Sequence, residues 1–440
     1  MTYAEALSFW FGRVNYEVRS ARPGDLKLER MRALLRLLGD PHDRVRLVHV
    51  TGTKGKGSTC AMLASVLRAA GYRAGLFTSP HLVHVEERIQ VDGEPISHGE
   101  LAVRMEEVAA AVRQLELSGL PITFFEIGTA LGFLQFCYLR CDIALIEVGL
   151  GGRFDSTNVC NPLVSVITNV GLDHTAQLGR TLEEIAVQKA GIIKRGVPVV
   201  SGVTQEGPRA VIQRTAAAMN APLWEAADYR DEAERRKIAL RGEHQIANAA
   251  VALATLARLR AAGMTIAEDA VVAGLARVHW PARVEVIAER PAIVLDTAHN
   301  VPSAEALVRT LADSFPLAKI RRVVFAVSSD KDFAEMLRVL SGYFTHIHLT
   351  RYGHNPRCVP PEKLAAVLEE VAPGAEYTVH PTSGDAWSAA RAASGQDGLI
   401  CVTGSVFLAG ELLQTLSDHR LTDRAVRNSA APAGNVSSAD

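Results

Sequence analysis

Three glycines and two lysines interleave with hydroxyl side chains over residues 52–59, Gly-Thr-Lys-Gly-Lys-Gly-Ser-Thr. Glycines in such a loop let the backbone approach an anion and aim its N–H groups at it, and a helix starting there adds its positive end. The flanks agree with that use. An apolar run (Leu47, Val48, Val50) enters the loop, and Leu63, Val66 and Leu67 beyond it share one helical face. Lys56 would reach the outer phosphates of a nucleotide and Ser58 or Thr59 would face a magnesium ion, with Thr53, Lys54, Gly55 and Gly57 completing the cradle. The spacing departs from the usual P-loop, because only Thr53 and Lys54 separate Gly52 from Gly55 and Gly57 stands between Lys56 and Ser58. A plain glycine turn is the competing reading, and the loop alone names a nucleotide, not a reaction.

Further polar residues stand where apolar runs end. Thr-Ser-Pro-His-Leu, from residue 78, offers Ser79 and His81. The run from Ile143 closes on Glu147 and continues through Gly149, Gly151, Gly152, Arg153 and Asp155. A carboxylate ending a buried strand beside a phosphate loop suits magnesium, directly or through water, and pairing with an arginine is the alternative. Asp173 and His174 follow the next run, His174 reading as a ligand or as a structural histidine. Helical spacing puts Lys189 on the face of Ile185, Ile192 and Ile193. It is either a snorkelling lysine or a desolvated one whose lowered pKa favours the neutral, nucleophilic form. Asn248, Arg283, Asp296 and His299 complete the set, the aspartate ending a strand where ribose hydroxyls could bind.

These residues need strand ends to hold them. Apolar runs predict strands at Leu47 to Val50, Ala74 to Thr78, Asp142 to Glu147, Val164 to Thr168 and Pro198 to Ser201. Helical patterns lie between them, after Ser58, from Glu126 to Leu139, and from Thr181 to Ile193, where Thr181 and Glu184 make a capping box. A long helix begins near Glu243, and the proline-bearing stretch from His279 to Ala292 reads as a connection between domains. Five more short strands alternate with helices after it. The expectation is a mostly parallel sheet covered on both faces, with ligands outside the strands' carboxyl ends, then a second, smaller α/β domain and a cleft binding one nucleotide. We expect domain limits at 1–288 and 289–425, with a disordered tail at 426–440, where the composition turns small and polar.

At 440 residues the chain is long enough for two or three domains. A net charge of -1 gives no electrostatic reason to expect nucleic acid or an anionic membrane as partner. The six cysteines, with no Cys-x-x-Cys among them, suit a reducing compartment, and Cys137 and Cys141 read as a hydrophobic helix end. The N-terminus reads as an amphipathic helix rather than a signal peptide, and no apolar run approaches the ~20 residues that cross a bilayer. A soluble, cytoplasmic protein is expected.

The order of segments carries a resemblance. HVTGTKGKGST, TSPHL, ERIQVDG, TFFEIGTALGF, IEVGLGGRFDSTNV, GLDHTAQLG, IAVQKAGIIK, HQIAN, WPARVE, LDTAHN, DKD and TGSVFLAGE follow one another from about Leu26 to Leu413. In this the chain resembles the folylpolyglutamate synthase and dihydrofolate synthase family of the Mur ligase superfamily. The resemblance implies a P-loop NTPase-like Mur ligase central domain with a mostly parallel sheet, followed by a smaller Rossmann-like α/β domain. It implies an ATP-dependent ligase that joins L-glutamate to dihydropteroate and to tetrahydrofolate and its polyglutamates through an acyl phosphate, working as a monomer. A monofunctional folylpolyglutamate synthase, or another carboxylate-amine ligase of the superfamily, is the alternative.

Site residues follow from the same resemblance. Thr53 to Lys56 would hold the ATP phosphates, Asn248 the adenine, Arg283 the phosphates and Asp296 the ribose, with His299 beside it. Ser79, Glu147 and His174 would bind Mg2+, two ions in all, and Lys189 would be carbamylated, with Lys56, Lys189 and His174 as the catalytic group. Asp25, Leu26, Lys27, Thr123, Phe154, Asp155 and Ser156 would contact the pterin. Lys54 stands where the family usually has asparagine and Lys27 where glycine is common; the first adds charge at the phosphates and the second bears on substrate preference. Closure of the second domain over the first would keep water from the acyl phosphate. A P-loop kinase or GTPase leaves LDTAHN without work and lacks an Asn-Lys-x-Asp signature, while a non-catalytic nucleotide-binding module leaves Glu147, His174 and Lys189 unexplained.

Overall fold

The computed structural model describes residues 1–17, 25, 27–353 and 355–416. Leu26 and the expected tail at 426–440 lie outside them. The chain divides into two compact units, Met1–Arg283 and a second from Val284 onward.

Eight strands form the sheet of the first unit: β1 (Leu47–Thr51), β2 (Ala74–Phe77), β3 (Ile89–Val91), β4 (Glu94–Pro95), β5 (Ile143–Glu147), β6 (Val164–Ile167), β7 (Val199–Ser201) and β8 (Leu223–Glu225). Their order is β4-β3-β2-β5-β1-β6-β7-β8, parallel except at the β2-β3-β4 edge. β1, β2, β5 and β6 are buried at every residue, as parallel strands covered on both faces must be. The helices are α1 (Tyr3–Phe11), α2 (Leu28–Leu37), α3 (Lys56–Ala69), α4 (His98–Leu117), α5 (Phe124–Tyr138), α6 (Thr175–Leu178), α7 (Leu182–Ala190), α8 (Glu206–Ala218), α9 (Arg230–Glu234), α10 (Glu243–Ala261) and α11 (Glu268–Arg277). One core joins α3, α10 and α11 to the sheet, while α1, α2, α4 and α5 build another around Trp10, Phe77 and Phe133.

Each expected strand of this unit is present. The helix after the glycine loop starts at Lys56, two residues earlier than expected, because Gly55 in the left-handed region (φ 79°) already serves as its N-cap. The Thr181 and Glu184 capping box is made. The N-terminal helix buries Ala6 and Trp10, as its amphipathic pattern requires.

The second unit holds β9 (Glu285–Glu289), β10 (Ala292–Leu295), β11 (Arg321–Phe325), β12 (His346–Leu349), β13 (Tyr377–Val379) and β14 (Leu399–Thr403). Their order is β13-β12-β11-β14-β10-β9, parallel except for the β9-β10 pair. The stretch from His279 to Ala292, read as a connection, therefore contains a strand. Its alternation is weak and prolines flank it, but pairing with β10 supplies the ladder that a short edge strand cannot find alone. β9 belongs to the second sheet, so the two units part at Arg283, ahead of the expected 288.

Candidate active site

β1 is where the strand order of the first sheet reverses: β5 lies on one side, β6 on the other, and both run parallel to it. Val50 is in register with Glu147, and Thr51 with Ile167. The segments leaving the carboxyl ends of these three strands emerge as neighbours, about 4.8 Å apart from strand to strand.

The glycine loop is tied to the segment after β6. Thr53 N donates to Asn169 O at 3.1 Å, Lys54 N to Asn169 Oδ1 at 2.8 Å, and Thr168 Oγ1 to Lys54 O at 2.5 Å. Thr53 Oγ1 accepts from Gly171 N at 2.9 Å and donates to Gly171 O at 3.1 Å. A Cβ on Gly52 would lie 1.8 Å from Thr168 Oγ1, and one on Gly55 would lie 2.1 Å from Asn248 Oδ1. Asn248, expected at the adenine, is thus packed against the phosphate loop, where its Nδ2 also donates to Gln245 Oε1 at 2.9 Å. Lys56 folds back so that Nζ donates to Gly52 O at 3.1 Å. Ser58 is buried in the first turn of α3.

Lys54 was expected to add bare positive charge. Its ammonium instead pairs with Asp173 Oδ2 at 2.8 Å. Asp173 Oδ1 takes the backbone N–H of His174 at 3.0 Å, and His174 N-caps α6 in a left-handed conformation with its ring half-exposed.

Glu147 is 5% exposed. Burial raises its carboxyl above the usual range, opposed by Lys56, by Ser79 N, which donates to its Oε2 at 3.2 Å, and by Arg283 and Arg88. Lys189, in the last turn of α7, is 2% exposed. Burial drives its ammonium well below the ordinary lysine range, Lys56 and Lys54 push the same way, and Asp173 opposes them. An anion entering here would meet Lys56, the loop amides and the amino end of α3. Among the described residues no three His, Cys, Asp or Glu side chains converge as a metal cluster.

A second group of expected residues gathers at the start of α5. Thr123 caps that helix with Glu126, and Ser156 Oγ lies 3.0 Å from Thr129 Oγ1 one turn on. Phe154 is 46% exposed, with the Arg153 guanidinium over its ring. Asp155 is employed by the chain: its oxygens accept from Leu150 N at 2.8 Å, Thr157 N at 3.0 Å and Thr157 Oγ1 at 2.5 Å, organising the loop that follows β5. Asp25 is half-buried and Lys27, the N-cap of α2, is exposed.

Arg283 donates from Nη1 to Ala282 O at 3.2 Å, between two non-glycine residues at positive φ, Ala282 and Val284. In the second unit Asp296 ends β10, accepting from Val284 N at 3.1 Å and Ala298 N at 2.7 Å. His299 Nδ1 lies 2.8 Å from Thr297 O.

Several partners escaped the sequence reading. Arg88, 2% exposed, holds His81 Nδ1 from Nε at 2.8 Å and grips both oxygens of Glu17. Burial first, and then the positive charge of Arg88, keep the His81 imidazole neutral, its pKa down to about 3. Arg30 pairs with Glu126 at 3.0 Å. Thr123, the N-cap of α5, stands three residues ahead of the helix start expected at Glu126 and forms a capping box with it, and the arginine that joins them comes from a segment 96 residues away.

A nucleotide-type loop at the switch point of one sheet and a second, mostly parallel sheet after it define a Mur ligase. Residues 50–206 match the Mur ligase middle domain and residues 282–406 the Mur ligase, glutamate ligase domain. The dihydrofolate synthase/folylpolyglutamate synthase of Bacillus subtilis is 35% identical over 438 residues, spanning 94% of this chain and 99% of that protein. The folylpolyglutamate synthase of Lacticaseibacillus casei is 35% identical over 443 residues, with 94% and 99% covered. The structure of E. coli FolC in complex with DHPP and ADP superimposes with a TM-score of 0.82 at 29% identity, over 96% of this chain and 99% of that one. The chain belongs to the dihydrofolate synthase/folylpolyglutamate synthase family of Mur ligases.

Proposed function

We propose that this chain is an ATP-dependent ligase that joins L-glutamate to dihydropteroate and to tetrahydrofolate and its polyglutamates. The observation that carries the reading is the meeting of the Lys56 loop, buried Glu147 and buried Lys189 at one strand-order reversal, in a chain that spans nearly the whole length of relatives bearing those names.

The acceptor's carboxylate attacks the γ-phosphorus of ATP, forming an acyl phosphate and ADP. Lys56 and the amides of Gly55 to Ser58 neutralise charge on the transferring group. The amine of L-glutamate then attacks the acyl carbon, and the tetrahedral intermediate collapses to an amide and phosphate. Thr53 and Lys54, locked to Asn169 and Gly171, keep the cradle in place without rearrangement. Arg283 would take the nucleotide's phosphates, and Asp296 and His299 are the proposed partners of its ribose.

The Glu147 carboxylate and the adjoining Ser79 are hard oxygen donors that fit Mg2+, and His174, whose backbone N–H is held by Asp173, is the third candidate. When bound, that ion supplies charge neutralisation at the phosphates. The raised carboxyl of Glu147 fits a group whose counter-charge arrives with the ligand. Lys189 fits carbamylation: a neutral Nζ adds to the carbon of carbon dioxide and loses one proton, turning a buried amine into an anionic oxygen donor. Asp25 to Lys27, Thr123 and Phe154 to Ser156 would face the pterin. Among the described residues no helix is long and apolar enough to cross a membrane, and the six cysteines are free. A reducing cytoplasm and a monomeric state belong to the same proposed reading.

Mass spectrometry of products from ATP, Mg2+ and L-glutamate, with dihydropteroate or tetrahydrofolate as acceptor, tests the reading. Glutamylated product with both acceptors supports it. Product with tetrahydrofolate alone supports the monofunctional reading, the single activity named for the Lacticaseibacillus casei relative. Product with neither overturns both.

A further inference from the structure

The first turn of α5 ties together three segments far apart in sequence. Glu126 Oε2 accepts from Thr123 N and Thr123 Oγ1, each at 2.8 Å, and Arg30 Nε donates to Glu126 Oε1 at 3.0 Å and Oε2 at 3.3 Å. The same guanidinium reaches on through Nη2 to Asp25 O at 2.7 Å. One turn along the helix, on the face of Glu126, Thr129 Oγ1 meets Ser156 Oγ at 3.0 Å. Asp25, Thr123 and Ser156 are therefore held to one helix end by side chains that have no assigned part in the reaction.

We propose that Arg30, acting with Glu126, is a positioning residue that sets affinity for the acceptor substrate by tying the Asp25 backbone to the helix end that Thr123 caps. The inference rests on the assignment of these segments to the acceptor. Both partners are nearly buried, with side chains 13% and 5% exposed. A buried ion pair is weak evidence for stability, since an apolar pair of the same shape is often as stable. What an apolar pair cannot do is donate to the Asp25 carbonyl while answering the carboxylate that caps α5. A planar guanidinium does both at once.

The test compares steady-state kinetics of the wild type, Arg30→Lys and the double variant Arg30→Gln/Glu126→Gln, which strands no buried charge. KM is measured separately for dihydropteroate, tetrahydrofolate and ATP, with melting temperature as the folding control. The double variant is expected to raise the acceptor KM on the order of tenfold or more while the KM for ATP stays within about twofold. Arg30→Lys, which keeps the charge and one donor, recovers part of the loss. An unchanged acceptor KM, or acceptor and ATP values rising together with a fall in melting temperature, would overturn the proposal. A wild type inert toward both acceptors would overturn the functional reading itself and this inference with it.

Discussion

Each sheet carries a buried carboxylate at the carboxyl end of a strand, Glu147 closing β5 and Asp296 directly after β10, and the two carboxylates live differently. Asp296, at the end of β10, takes backbone N–H groups from Val284 and Ala298, with Thr403 Oγ1 at 3.4 Å. Glu147, at the end of β5, takes one N–H at 3.2 Å, and its other compensation comes from Lys56, Arg283 and Arg88 acting through space. Where the chain itself answers a buried charge, the charge shapes the backbone. Where the answer is incomplete, the fold carries a cost that a ligand can relieve, and such sites concentrate function.

The sharpest way to break this contrast is at Lys56, whose ammonium donates to the Gly52 carbonyl of its own loop. Lys56→Ala should lower kcat by about 10²–10³ and leave the melting temperature within about 2 °C of wild type. Full activity in the variant would remove the loop from the chemistry.

Glu147→Gln against Asp296→Asn tests the contrast directly, by urea unfolding and by turnover. The first should cost on the order of tenfold or more in activity with little loss of stability, because it removes a poorly answered charge. The second should cost about 1–3 kcal/mol, because an amide nitrogen cannot accept from the N–H it would face. Equal destabilisation by the two would end the distinction.

Lys189 adds a pH test. Burial makes charging it costlier in the folded chain, so between the depressed folded pKa and the ordinary 10.5 the unfolded chain binds more protons. Stability from this group therefore rises with pH across that window and falls as pH drops through it. In buffer free of carbon dioxide, Lys189→Met should melt a few degrees higher than wild type near about pH 7, and the gap should narrow toward about pH 9. A gap independent of pH would show that Lys189 is no more costly to charge than an exposed lysine.

Lys54→Ala should do least. Its ammonium pairs with Asp173, the two side chains 31% and 10% exposed, a pair worth on the order of 1 kcal/mol, and its backbone N–H remains in place. A fall in activity of less than about tenfold is expected in a steady-state assay. A loss matching that of Lys56→Ala would show that the pair opens to the nucleotide.

Much of this was legible in the chain itself. The glycine loop, the buried strands on either side of it, the carboxylate closing β5 and the capping box of α7 are local patterns, each set by backbone freedom, apolar period or an orphan N–H within a few residues. The family resemblance rested on the same local blocks. What no window could reveal was adjacency. That β5 slots between β2 and β1, bringing Glu147 beside the loop, depends on how the whole sheet buries its faces. Asn248 against Gly55, Asp173 on Lys54 and Arg30 on Glu126 join residues far apart in sequence, and any soluble surface could have hosted each side chain alone. β9 became a strand only because β10 was there to pair with it. Local chemistry determined which groups this protein carries, and long-range burial decided which of them meet, because desolvation and hydrogen bonding act on the neighbours a side chain acquires and not on the neighbours it has in sequence.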